Sequence, residues 1–196
     1  MIFTNRREFL RPLQGKRFYM QKHLIITVTG TDRVGFVEGV TKLVVDHGAN
    51  VEQSRMARLG GEFAVLMLVS VEETAFDALR ARVMKLSDEG HLVTTRATVQ
   101  GPVADYQGFL PYTITVNGAD HAGIIHAVTR SLAEQGINIE TLDTGTAPAP
   151  MSGTPLFTMT ATVAAPASIS LTGLRAILSA LGDKLNVDTI VAPYVG

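Results

Sequence analysis

An internal repeat governs how this chain can fold. The stretch TGTDRVG at 29–35 returns as NGADHAG at 117–123, each time between an apolar run and a helical pattern. Laying 24–52 over 112–140 without a gap keeps Ile26/Ile114, Thr27/Thr115, Val28/Val116, Gly30/Gly118, Asp32/Asp120, Gly35/Gly123, Val40/Val128, Gly48/Gly136 and Asn50/Asn138. The chain is a duplication. A repeat unit of this length can close its own core, so the pattern predicts two copies of one small domain rather than a solenoid of short units.

Composition narrows the class. With 46% hydrophobic and 18% charged residues, the chain has the apolar content for two small cores. The formal net charge of -1 argues against tight nucleic-acid binding, because neutralising phosphates needs a basic surface. Without cysteine there is no disulfide or thiolate chemistry, and a zinc site would have to rest on five scattered histidines and on carboxylates. His121 and His126 are the one close pair, and their spacing puts them off a common helical face. No metal or cofactor is expected. No apolar run reaches bilayer-spanning length, so the expectation is a cytoplasmic protein without membrane contact.

Each half reads in the order βαββαβ. Over 23–29, Leu24, Ile26 and Val28 alternate with Ile25 and Thr27, which predicts a strand. Val37, Val40, Leu43 and Val44 then recur at helical spacing, with Gly48 as the stop. Strands follow over 50–58 and 62–71 around a Gly60-Gly61 hairpin turn, then a helix carrying Phe76, Leu79, Val83 and Leu86, then a strand over 92–99. The second half repeats this from Tyr112, with Ile125, Val128 and Leu132 marking its first helix and a helix from Leu171 before the last strand, 187–193. Its hairpin carries TAPAPMSGTP, whose prolines predict a longer loop outside the ladder. The expected architecture is α+β: two ferredoxin-like βαββαβ domains in tandem, each an antiparallel sheet with its helices on one face. Domains are expected over 22–100 and 111–196, with a Pro/Gly-rich linker over 101–110. Residues 1–21 hold Arg6, Arg7, Arg11, Lys16 and Arg17 outside the repeat and read as a disordered basic tail, with Met20 as an alternative start. The uncovered sheet faces, or the sheet edges, are expected to pack against each other or against a second chain, making a homodimer.

The repeated loop is the candidate site. In each copy a strand runs into Asp-x-x-Gly and then a helix. Such an Asp can simply cap the helix, and the Gly can simply let the chain turn. The functional reading is that free amides at the helix start and a missing Cβ suit the carboxylate of a small ligand, while Asp32 or Asp120 faces its ammonium group. Arg33, Val34 and Gly35 complete the first loop, and His121, Ala122 and Gly123 the second. Asn50 and Asn138 could add a polar contact from an adjacent domain; as turn residues they would take a left-handed conformation after Gly48 or Gly136. Neither loop gives the dinucleotide fingerprint G-x-G-x-x-G, no Ser lies in G-x-S-x-G, and no histidine recurs between the copies. No catalytic residue is expected.

Both halves resemble ACT domains in the succession strand, DRVG, helix, GAN and its counterpart strand, DHAG, helix, GIN. With GGEFAVLMLVSV in the first copy and APMSGTPLFTMTATV in the second, the tandem pair is similar to the glycine-cleavage-system transcriptional repressor family. The resemblance implies a non-catalytic regulator that binds a small amino acid, glycine being the candidate, near the Asp-x-x-Gly loops at domain or subunit interfaces. It also implies action on transcription through a protein partner such as a DNA-binding activator, without direct contact to nucleic acid. The first half also resembles the amino-terminal segment of formyltetrahydrofolate deformylase, but a second ACT copy stands where that family carries its catalytic domain. An adaptor whose loops bind no ligand is the other reading. Arg33 against His121 marks the two loops as unequal.

Overall fold

The computed structural model describes residues 20–99 and 108–195. The expected tail falls outside this range except for its last two residues, as does the expected linker except for its last three. The chain divides into two compact units between Gly101 and Pro102.

The first unit runs β1 (Gln21–Thr31), α1 (Phe36–Asp46), β2 (Asn50–Leu59), β3 (Glu62–Glu72), α2 (Glu73–Met84) and β4 (Leu92–Thr98), with a 3-10 turn at Lys85–Glu89. The second runs β5 (Leu110–Ala119), α3 (Ile124–Glu134), β6 (Asn138–Pro148), β7 (Pro155–Ala165), α4 (Leu171–Leu185) and β8 (Val187–Pro193). Each unit is a four-stranded antiparallel sheet, ordered β2-β3-β1-β4 and β6-β7-β5-β8. Both are the ferredoxin-like α+β arrangement that the repeat predicts.

Alternation decides what each sheet buries. In β1, Leu24, Ile26 and Val28 are fully buried beneath the helices, and the residues between them are half-exposed. Phe36, Val40, Leu43 and Val44 of α1 close that core together with Phe76, Leu79 and Val83 of α2. In the second unit Ile114, Val116, Val128, Leu132, Leu174 and Leu178 take the corresponding places. Two helix registers differ from the sequence reading. Phe36 rather than Val37 enters the core, and Ile124 rather than Ile125, which remains 42% exposed. Each helix begins right after its glycine, so its first residue lies over the sheet at i, i+4, i+8 spacing, with Val40 and Val44 beyond it in α1 and Val128 and Leu132 in α3.

The proline-rich hairpin is also partly corrected. Its loop is long, but the β6–β7 ladder continues to Pro148↔Pro155 and so includes Thr146, Ala147 and both prolines. β6 is an edge strand and Pro155 opens β7, two positions where a missing amide donor costs no ladder bond. Among the described residues, no helix is long and apolar enough to cross a membrane.

Candidate functional site

In the first unit, the loop between β1 and α1 is a tight turn with a fixed shape. Phe36 N–H donates to the Arg33 carbonyl at 3.2 Å, and Gly35 has φ 87 and ψ -2. Those angles belong to the third residue of a type II turn, where glycine is favoured because φ is positive. Val34, at the second position, is fully exposed at the tip. Gly123 has φ 99 and ψ -9 in the second loop. Gly35 and Gly123 are the N-caps of α1 and α3, with no side chain accepting there, so the capping role open to Asp32 and Asp120 is not realised.

Asp32 is tied to the neighbouring hairpin. Its amide donates to Gly61 O at 3.0 Å, and its Oδ2 accepts from Arg58 Nε at 2.7 Å. The second loop has the same backbone tie, Asp120 N–H to Pro155 O at 2.9 Å, but Asp120 is in no ion pair among the described residues. Arg58 is therefore a site residue that sequence reading missed. Hairpin pairing brings the end of β2 beside the loop, and no local motif announces it.

His121 holds the second loop differently. Its Nε2 lies 2.8 Å from the carbonyl oxygen of Leu185, the last residue of α4, and its Nδ1 lies 3.2 Å from the Ala122 carbonyl. Only the imidazolium can donate from both nitrogens. The bond to Leu185, followed by that to Ala122, raises its pKa above the ordinary 6.5. Arg33, the counterpart, is exposed in the first loop.

The floor beside each loop differs as well. In the first unit the ring of His91 lies directly over Gly30, edge-on to Phe36 with centroids 5.2 Å apart, and a Cβ at Gly30 would collide with its Nδ1. That Nδ1 is buried without a hydrogen-bond partner among the described residues. In the second unit Gly118 is covered by Val187, and a polar cleft of about 290 Å³ opens there, lined by Asn117, Asp183, Asn186 and Asp188 among others.

Asn50 and Asn138 do not join the loops of their own units. Asn50 is registered with Ser70, which pairs with His23 near the start of β1, whereas Asp32 follows the end of that strand. Nine residue rises of strand separate the two positions, roughly 30 Å. Asn138 is similarly placed, opposite Ala164 in the row of Pro111. Both asparagines lie in strands; Gly48 and Gly136 take the left-handed conformation in their stead.

The fold and site define a duplicated ferredoxin-like protein whose two units present equivalent turns at the end of their first strands. The ACT-domain family model matches residues 22–97, which make up the first unit. The chain is 29% identical over 167 residues to the glycine cleavage system transcriptional repressor of Escherichia coli, covering 85% of this chain and 87% of that protein. The crystal structure of an unknown protein from Galdieria sulphuraria is 32% identical with a TM-score of 0.76, over 90% of this chain and all of that one (100%). A candidate glycine cleavage system transcriptional repressor of known structure has a TM-score of 0.67 at 23% identity, over 90% and 99% of the two chains, and bears on the fold. Family and relatives together support a regulatory role.

Proposed function

We propose that this chain is a non-catalytic sensor of a small amino acid that acts on transcription through a protein partner. The observation that carries this reading is the similarity to a transcriptional repressor across both units rather than across one. The loop chemistry supports a ligand with both an ammonium and a carboxylate group. Amides at the start of α1 and α3 suit the carboxylate, and an aspartate beside them suits the ammonium. The second loop is the better ammonium anchor. Asp120 is unpaired among the described residues and neighbours a cleft holding Asp183 and Asp188, whereas Asp32 is already matched by Arg58. Glycine is the first candidate, since nothing in either turn offers an apolar slot for a side chain.

A partner-mediated effect on transcription agrees with the formal charge of -1 and with the element order, in which strands separate the helices within each unit among the described residues. Calorimetric titration with each of the twenty amino acids tests the sensor. A response to glycine or another small amino acid, lost in Asp120→Asn, is expected. No heat with any of the twenty refutes sensing, and tight salt-dependent DNA binding by the purified chain refutes the partner-mediated route.

A further inference from the structure

Two carbonyl oxygens of the second unit face one imidazole. His121 Nε2 lies 2.8 Å from the carbonyl oxygen of Leu185, and Nδ1 lies 3.2 Å from that of Ala122. The first oxygen belongs to the last residue of α4, beyond which the Asn186 amide turns back to Gly182 O. A helix leaves its last carbonyls without an intrahelical donor and carries partial negative charge there, so a cation at this place is favoured. The second oxygen belongs to the turn itself, on the peptide that joins Ala122 to Gly123. In a trans peptide the carbonyl and the N–H point opposite ways. Holding the Ala122 oxygen therefore also sets the direction of the Gly123 N–H, at the start of α3.

The charged ring donates to both oxygens; the neutral ring has a single N–H. With the proton on Nε2 the Nδ1 lone pair faces the Ala122 oxygen, and with it on Nδ1 the Nε2 lone pair faces the Leu185 oxygen. Either neutral form gives up one tie and sets lone pair against lone pair. Both bonds accordingly raise the pKa of the ring above the ordinary 6.5, which puts release on the alkaline side of that value. The other titratable or charged side chains at this end of the unit are Asp120 on the same loop, His126 in the first turn of α3, Asp183 and Lys184 in the last turn of α4, and Asp188 at the start of β8. The hairpin tip over 146–157 carries none. Asp120 favours the charged ring. The first loop has no such device. Arg33 stands at the equivalent position and keeps its charge at every ordinary pH, and that turn is closed by its own backbone bond, Phe36 N–H to Arg33 O.

We propose that His121 is a proton-operated latch: the charged ring clamps the turn to the end of α4 and fixes the Ala122–Gly123 peptide, and the neutral ring releases both. Its consequence for binding rests on the amino-acid reading above. The Gly123 amide is one of the donors offered to the ligand carboxylate, so binding takes up a proton at His121 and weakens as pH rises. By reciprocity, the bound ligand makes His121 more basic.

NMR of the full chain without ligand tests the latch. Ring charge alone would shift nearby signals without changing backbone order, so amide nitrogen relaxation is the deciding readout. The His121 ring signals and the order over 120–123 are expected to change together at one midpoint above 6.5, the order parameter falling from about 0.85 toward 0.6. His126→Gln leaves that midpoint in place, and His121→Gln gives an order that does not vary between about pH 5 and 8. Should circular dichroism show His121→Gln unfolded, His121→Arg gives the same reading, because arginine does not titrate there. Wild-type order that stays constant through the His121 midpoint, or order that still varies in the His121 variants, overturns the proposal. Calorimetry with glycine then reads the coupling. The wild type is expected to bind up to about tenfold more tightly at about pH 6 than at about pH 8, and His121→Arg equally at both. Equal wild-type affinities overturn the coupling. No heat with any of the twenty amino acids refutes the sensing reading instead, and the relaxation data alone then decide the latch.

Discussion

Replacing Gly35 by alanine separates two reasons for a glycine in the loop, space and backbone. A Cβ at Gly35 meets nothing within 4 Å, so bulk costs nothing, whereas φ is 87. Holding an alanine in the left-handed region costs about 1–2 kcal/mol. Against this, the stiffer unfolded chain gives back about 0.4–1 kcal/mol. The net loss expected for Gly35→Ala is about 1 kcal/mol. Asparagine tolerates positive φ, so Gly35→Asn should lose only a few tenths of that order. Gly39→Ala is the control: it lies within α1 with open space around it and should gain about 0.5–1 kcal/mol. Urea midpoints at a common m-value measure all three. If Gly35→Asn is as damaging as Gly35→Ala, or Gly35→Ala matches the wild type, positive φ is not what the position requires. The same reasoning applies to Gly123 at φ 99, with open space again around the missing Cβ.

The remaining predictions concern neighbouring parts of the site. Gly182→Ala should destabilise, because its Cβ would stand 2.6 Å from the Val187 carbonyl oxygen, a backbone atom that cannot swing aside. Overpacking costs about 1–3 kcal/mol against the roughly 1 kcal/mol that alanine gains in a helix, so thermal melting at or above the wild-type temperature would contradict this. His121 should titrate above 6.5 by NMR. A raised folded pKa means that its stabilisation is fully present below 6.5 and is lost as pH rises through the folded value, so the second loop loosens from α4 on the alkaline side. A midpoint at or below 6.5 would contradict the double-carbonyl geometry. Arg58→Ala removes an ion pair whose arginine is 67% exposed, so stability should fall by no more than about 1 kcal/mol. A larger drop in the urea midpoint would mean that the pair holds the hairpin in place.

The fold was legible because its signals are local and doubled. Leu24, Ile26 and Val28 announce a half-buried strand at every second position, and the repeat confirms the reading at Ile114 and Val116. The helix registers were less legible: Phe36 and Val37, like Ile124 and Ile125, are adjacent apolar residues, and only the turn geometry chooses which one faces the sheet. The proline hairpin misled for a related reason, since composition cannot say that β6 is an edge strand. Of the site, the two Asp-x-x-Gly turns were found, but their chemical difference was visible only as Arg33 against His121.

By itself, the sequence determined the duplication, the βαββαβ order and the position of the two turns, because periodicity and glycine placement act over a few residues. Tertiary structure decided which charges are available. Arg58 reaches Asp32 through a hairpin, His121 reaches Leu185 from far along the chain, and Asn50 is carried to the other end of its sheet. Such partnerships depend on strand order and register, which bring distant residues together without leaving a mark on the local pattern.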